Sequence, residues 1–341
     1  MVTSMSVVRR NKLHRRTVLK ALFGAPFSSL PARLSMRSAD AQPVLQPIRM
    51  GIQIFTGAVA TVWFEKKIYE KRGLLVEARQ FADGRSVRDA MVADQLNAGT
   101  MNITPFIVGA AVSSLTMVGV VSLGGDTVGV LARKGSGINS VADLRGRRIG
   151  ISVGSTTGNI FVQTVAPQAG LKQGDYQVVN MRPADQIAAL AAGSVDAVTS
   201  FEPYITVAEK EGIGVTLLRF GQIDPNPTCL VLTPSLIERS PETVKALLKS
   251  WLDGVDYWRS HTAEVADVLL QLSNSAGYAN VTRDVADGIV KQIKVEPEIT
   301  PALAAHIKGE AERMKAANLI RTLPDWTKVL RPDLLAQAQA T

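Results

Sequence analysis

The segment of this 341-residue chain best furnished to hold a polar group is Gly154-Ser155-Thr156-Thr157-Gly158. Its glycines permit close backbone approach, and its hydroxyls, with the free amides of a helix start, can hold an anion or a carbonyl oxygen. It has neither the lysine nor the spacing of a phosphate-binding P-loop. A plainer reading stands beside this one, in which Ser155 or Thr156 only caps the helix that runs on to Ala169. Phe201-Glu202-Pro203-Tyr204 is the second such segment. Glu202 can accept hydrogen bonds from an amine or hydroxyl, and Phe201 or Tyr204 can stack on a flat ligand. Glu202-Pro203 is also a good helix start in itself, with proline in the first turn and a negative charge at the positive end of the dipole. Arg85 and Asp126 are loop charges that face either a ligand or solvent.

Catalytic constellations are missing from the motifs. His261 and His306 lie in the C-terminal third, away from these segments, and the single cysteine, Cys229, stands inside an apolar run, where a buried inert thiol is expected. Nothing matches a zinc-binding HExxH, a nucleophile elbow or a dinucleotide glycine fingerprint, so no cofactor or metal is expected. One cysteine also excludes an internal disulfide.

The elements that must position these residues alternate between strand and helix. Residues 48–54 read as a buried strand, 58–71 as a helix stopped at Gly73, 75–80 as a strand, 83–86 as a turn, 87–98 as a helix ended by Gly99, and 101–103 as a strand. Such alternation implies a largely parallel sheet covered by helices. Open sheets of this kind bind ligands at the carboxyl ends of their strands. The loops there hold Gln53, Phe55 and Thr56, then Arg85, then Thr104, with Asp126 at a passage; later come Ser155, Thr156 and Thr157, then Asp185, then Glu202 and Tyr204.

The order of elements then returns. Residues 148–152 parallel 49–53 at an offset of 99, and 192–196 parallel 98–102 at an offset of 94. Two comparable α/β lobes are therefore expected, with the strands at 128–132 and 229–233 placed where the chain crosses between them. From Pro241 the pattern is helical, with Val244, Leu247, Leu248, Trp251 and Val255 on one face, and these helices are expected to pack on the first lobe. The alanine-rich end, 334–341, reads as frayed.

The charge is confined to one end. There are 38 Lys and Arg against 30 Asp and Glu, a net of +8. Eight of the basic residues precede position 42 and only Asp40 opposes them, so that stretch carries +7 and the remaining 300 residues +1. A basic body suited to nucleic acid is excluded. Arg15-Arg16 precedes a short apolar stretch, 21–30, and Ala39-Asp40-Ala41 offers a small-x-small cleavage site. Residues 1–41 therefore read as a signal peptide that resembles the twin-arginine type, leaving Gln42 as the mature N-terminus of a soluble periplasmic protein without a lipid anchor.

Several segments together resemble one family. Phe64 to Gly73 with Leu74-Leu75-Val76-Glu77, Gly137 to Gly150, Ala189 to Ala197, and Glu202-Pro203-Tyr204 occur in the order seen in solute-binding proteins of ABC importers. They resemble the branch of sulfonate, taurine and nitrate receptors and NMT1/THI5-like proteins. The resemblance implies a type II periplasmic binding protein of two doubly wound lobes joined by two crossover strands, with C-terminal helices. Lobe 1 would comprise 42–126 and 228–341, and lobe 2 would comprise 127–227. It implies a monomer that closes on a small organic solute (sulfonate, nitrate, carboxylate or pyrimidine-like) and delivers it to an ABC permease and its ATPase, after passage through the Tat translocase and signal peptidase. By the same resemblance Ser155, Thr156 and Thr157 would hold the ligand's polar head, with Thr104 and the first-strand loop facing it. Some enzymes share this fold, but the cysteine-rich motif of the pyrimidine synthases and the loop cysteine of the desulfinase have no counterpart in matching places. A sensor role is a further alternative.

Overall fold

The computed structural model describes residues 45–340, with Gly277 and Ala279 excepted; the export segment lies outside the described residues. Among the described residues, ten strands form two five-stranded sheets. They are β1 (Ile48–Ile52), β2 (Val76–Gln80), β3 (Ala98–Asn102), β4 (Thr116–Leu123), β5 (Val128–Arg133), β6 (Arg148–Ile151), β7 (Gln177–Asn180), β8 (Ala197–Phe201), β9 (Gly214–Arg219) and β10 (Pro227–Leu232). The first sheet has the order β2-β1-β3-β10-β4 and the second β7-β6-β8-β5-β9. In each, one strand runs antiparallel to its neighbours: β10 in the first and β5 in the second. Each is supplied by chain that has just come from the other sheet. The passages are short, 124–127 before β5 and 220–226 before β10, so the two apolar strands expected at the passages are where the chain arrives.

The internal repetition is closer than the sequence suggests, and one of its two expected offsets is corrected. Met50 pairs with Ala98 across β1 and β3, and Ile149 pairs with Ala197 across β6 and β8, so both strands recur at an offset of 99. The expected offset of 94 had matched Gly99, a strand residue, with Gly193, which ends a helix at φ 69°. The true counterpart of Gly193 is Asp94, at φ 57°. Local bonding follows the same offset: Arg49 N donates to Asn97 Oδ1 at 2.8 Å, and Arg148 N donates to Asp196 Oδ2 at 2.9 Å.

Glycine lets a helix press on the first sheet. A Cβ at Gly51 or Gly99 would stand 2.7 or 2.6 Å from Cγ1 of the buried Val87. Helix Gly84–Val92, capped by Asp83 through Ser86 N at 2.9 Å, is thereby held with its N-terminus at the sheet's carboxyl edge. The expected turn at 83–86 is thus the cap and first turn of that helix, which ends earlier than expected. The C-terminal helices complete the first sheet's core. In helix Pro241–Ser260, Val244, Leu247, Leu248, Trp251 and Val255 are all buried, and Trp63 donates its indole N–H to Ser250 Oγ at 2.9 Å. The alanine-rich end is ordered, contrary to expectation: helix Pro332–Gln339 buries Leu335 and Ala338 against the same core, and that apolar pair outweighs the end effect.

Candidate functional site

The carboxyl ends of the parallel strands in both sheets meet across one cleft. It is lined from the first sheet by Thr56, Ala82 to Arg85, Asn102 and Pro105, and from the second by Ser152, Ser155 to Thr157, Pro183, Gln186, Thr199 and Phe201. They surround a space of about 50 Å³.

The two sides touch. Thr104 N donates to Thr156 Oγ1 at 3.1 Å. Arg85 reaches across, its Nη1 donating to Val153 O at 2.5 Å and its Nη2 lying 3.5 Å from both Ser152 Oγ and Asp83 Oδ2. Away from the cleft, Asn159 donates to the buried Glu310 of helix Pro301–Ala316, which Arg313 also holds at 2.6 Å. An aromatic chain forms a further connection. Phe55 meets Tyr278 edge-on at 5.2 Å, Tyr278 meets Tyr204 at 5.5 Å, and Tyr204 meets Phe201 at 5.4 Å. Burial, with Tyr278 beside it, raises the Tyr204 hydroxyl's pKa well above the ordinary tyrosine value, so this ring is neutral at any working pH.

Thr56, Arg85, Ser155, Thr156 and Thr157 are brought together in the cleft lining. Ser155 lines the cleft and also caps the helix, accepting from Gly158 N at 3.1 Å. The other candidates lie elsewhere. Gln53 is buried and satisfied within the first sheet, its Nε2 donating to Thr100 O at 3.0 Å. Phe55 and Tyr204 belong to the aromatic chain. Thr104 makes the cross-cleft backbone contact, but its side chain is not part of the lining. Asp126 sits in the passage before β5, its carbonyl accepting from Arg219 Nη1 at 3.1 Å. Asp185 forms a surface pair with Arg182 at 3.0 Å, with side chains 50% and 81% exposed.

Glu202 is also removed from the cleft. Only 1% exposed, it accepts from Arg219 Nη1 at 2.6 Å, from Thr206 N at 3.1 Å and from Thr206 Oγ1 at 2.9 Å, so both carboxylate oxygens are engaged within the second sheet's side. Of its two readings, ligand acceptor and helix start, the contact with Thr206 N at the start of helix Tyr204–Lys210 corresponds to the second. The lining residues that sequence reasoning missed are Ala82, Asn102, Ser152, Gln186 and Thr199. Asn102 is the last residue of its strand and Ser152 just follows one, so counting strand ends would have found both; Thr199 is in the middle of β8, and Gln186 lies one residue beyond the loop 182–185.

Cys229 is fully buried in β10, and burial raises its thiol's pKa far above the ordinary value. Such a thiol carries essentially no thiolate at neutral pH. Among the described residues no helix is long and apolar enough to cross a membrane.

Comparison with known proteins agrees with this architecture. A Bacillus subtilis protein named as an aliphatic sulfonates-binding protein is 27% identical over 262 residues, covering 75% of this chain and 76% of its own. The taurine-binding periplasmic protein of Escherichia coli is 28% identical over 187 residues, 54% of this chain and 58% of its own. Among solved structures, the aliphatic sulphonate-binding protein SsuA of Escherichia coli superposes with a TM-score of 0.73 at 21% identity, over 86% of this chain and all of that one. The desulfurisation enzyme DszB shares the fold at a TM-score of 0.64 and 16% identity, over 86% of this chain and 99% of its own. The NMT1-like family model matches residues 41–272. By that match, and by a fold shared with periplasmic solute-binding proteins of ABC importers, the chain belongs to the NMT1-like family.

Proposed function

We propose that this protein is the receptor of an ABC importer, which captures a small organic solute in the cleft and presents it to a membrane permease and its ATPase. The observation that carries this reading is the cleft itself: strand ends of two sheets, linked by two short passages, face each other with polar side chains and touch across the gap. The lobes are assigned as 42–126 with 228–341, and 127–227. A ligand that touches both favours the state in which both surround it, and its differential affinity drives closure. The twin-arginine-type segment supports export by the Tat route, cleavage before Gln42 and a periplasmic location; the receptor reading itself expects a monomer. A non-catalytic role is supported by the lining, which offers hydroxyls, amides and one paired Arg and Asp but no nucleophile with an adjacent base.

Binding stabilises the folded state by mass action, so a true ligand raises the thermal midpoint with the logarithm of its concentration above Kd. A thermal-shift screen of the purified protein against sulfonates, nitrate, carboxylates, pyrimidines and neutral amides is expected to yield a class that raises it by several degrees. No response from any class, together with product formation in a turnover assay, would replace the receptor with an enzyme.

A further inference from the structure

Gln186 lies in the first turn of helix Pro183–Ala191 and lines the cleft. It is 0% exposed, and neither Nε2 nor Oε1 has a hydrogen-bond partner among the described residues. Leaving a buried donor or acceptor unpaired is costly and rare, so a side chain with both unpaired calls for a reason. Thr199 Oγ1, on β8 in the same lining, is in the same condition at 2% exposure. By contrast Gln53, the buried glutamine on the other side, has both amide atoms satisfied by Thr100.

We propose, building on the receptor reading, that the cleft selects a compact uncharged solute carrying a carbonyl and an N–H on one edge, as in a primary amide, a lactam or a urea, and that Gln186 reads that edge. A carboxamide presents one acceptor beside one donor. Its complement is a second amide edge, which closes two antiparallel N–H···O bonds at once. A sulfonate, nitrate or carboxylate offers acceptors only; it satisfies Nε2 and sets a negative oxygen against Oε1.

The charge of the lining points the same way. Its only charged side chains are Asp83 and Arg85, which face each other at 3.5 Å, and the guanidinium is further engaged by the Val153 carbonyl. Arg85 Nε is buried without a partner among the described residues, yet an anion drawn to it would also face the Asp83 carboxylate, and burying an incompletely paired charge is opposed. Size sets a limit as well. A water needs roughly 10–15 Å³ of such space, so the 50 Å³ here suits a ligand of a few heavy atoms.

The test compares acetamide, urea and 2-pyrrolidinone with methanesulfonate, nitrate and acetate, by thermal shift and calorimetry on the purified chain. The neutral probes are expected to bind more tightly than the anions. Gln186→Leu is expected to weaken the neutral probes at least about tenfold for the loss of two hydrogen bonds. Because it removes two orphaned buried groups, it should leave the ligand-free thermal midpoint unchanged or higher. Thr199→Val supplies a second variant with the same expected direction should the first fail to fold. Anions binding as tightly as the amides, or amide affinity untouched by both variants, would overturn the proposal and leave the receptor standing. Silence from every probe, with turnover detected, would remove both.

Discussion

Asp196 and Asn97 occupy equivalent places in the two sheets, each accepting from the backbone of an arginine in the first two residues of the neighbouring strand. They differ in charge. Asp196 also holds the Arg148 guanidinium at 3.0 Å, and that hydrogen bond first, with the backbone bond behind it, lowers its pKa below the ordinary carboxyl value against the opposing effect of burial. A depressed folded-state pKa gives stability that is fully present above the unfolded value of about 3.9 and is lost as the pH falls through the folded one. Asp196→Asn, which the first sheet already tolerates at Asn97, should keep the backbone bond and lose only the partly exposed ion pair. Its thermal midpoint is expected about 1–2 °C lower at pH 7, with the gap closing below about pH 4. Melting curves of both proteins across that range check it; a gap independent of pH would detach the pair from stability. At this scale sequence and structure agree unevenly. Ser155 signalled a cap and is one while also facing the cleft, whereas Glu202 signalled two roles and fills the structural one, because a neighbour 17 residues away, Arg219, captures its carboxylate. Pairing of that range is invisible to local pattern.

At the level of elements, the strand and helix alternation was legible because its periodicity is local, as were the buried face of helix Pro241–Ser260 and the loop that begins at Gly154. What escaped was register. Matching Gly193 to Gly99 was attractive by residue type, yet glycine serves helix termination in one case and close packing in the other. Glycine's role is again set by its neighbours inside the helices. A Cβ at Gly254 would lie 2.8 Å from Cδ1 of Trp63, whose ring is fully buried and tied to Ser250; at Gly288, in helix Arg283–Gln292, it would meet nothing within 4 Å. Gly254→Ala should therefore destabilise the protein by about 1–2 kcal/mol, overpacking outweighing the gain in helix propensity. Gly288→Ala should stabilise it by about 0.5–1 kcal/mol. Urea midpoints that moved in the same direction for both would refute the packing argument.

For the whole molecule, the two-lobed plan was legible from repetition and from family resemblance, while the contacts that bridge the cleft were not. Arg85 with Val153, Thr104 with Thr156, Phe55 with Tyr278 and Tyr278 with Tyr204 join residues remote in sequence, and only the fold brings them together. The same plan has a consequence for the order of assembly. All five strands of the second sheet come from one continuous stretch, and its first and last, β5 and β9, are direct neighbours, with Gly129 opposite Arg219. The first sheet cannot close until β10 arrives between β3 and β4, some hundred residues after β4 has been made. On the ribosome the second sheet is complete while the first still lacks an interior strand, so the half that begins later is able to fold earlier. A fragment of residues 127–221 is thus expected to fold alone and unfold cooperatively in urea, whereas 42–126 made by itself should remain without a stable core; a fragment 127–221 with no cooperative transition would show that neither half leads.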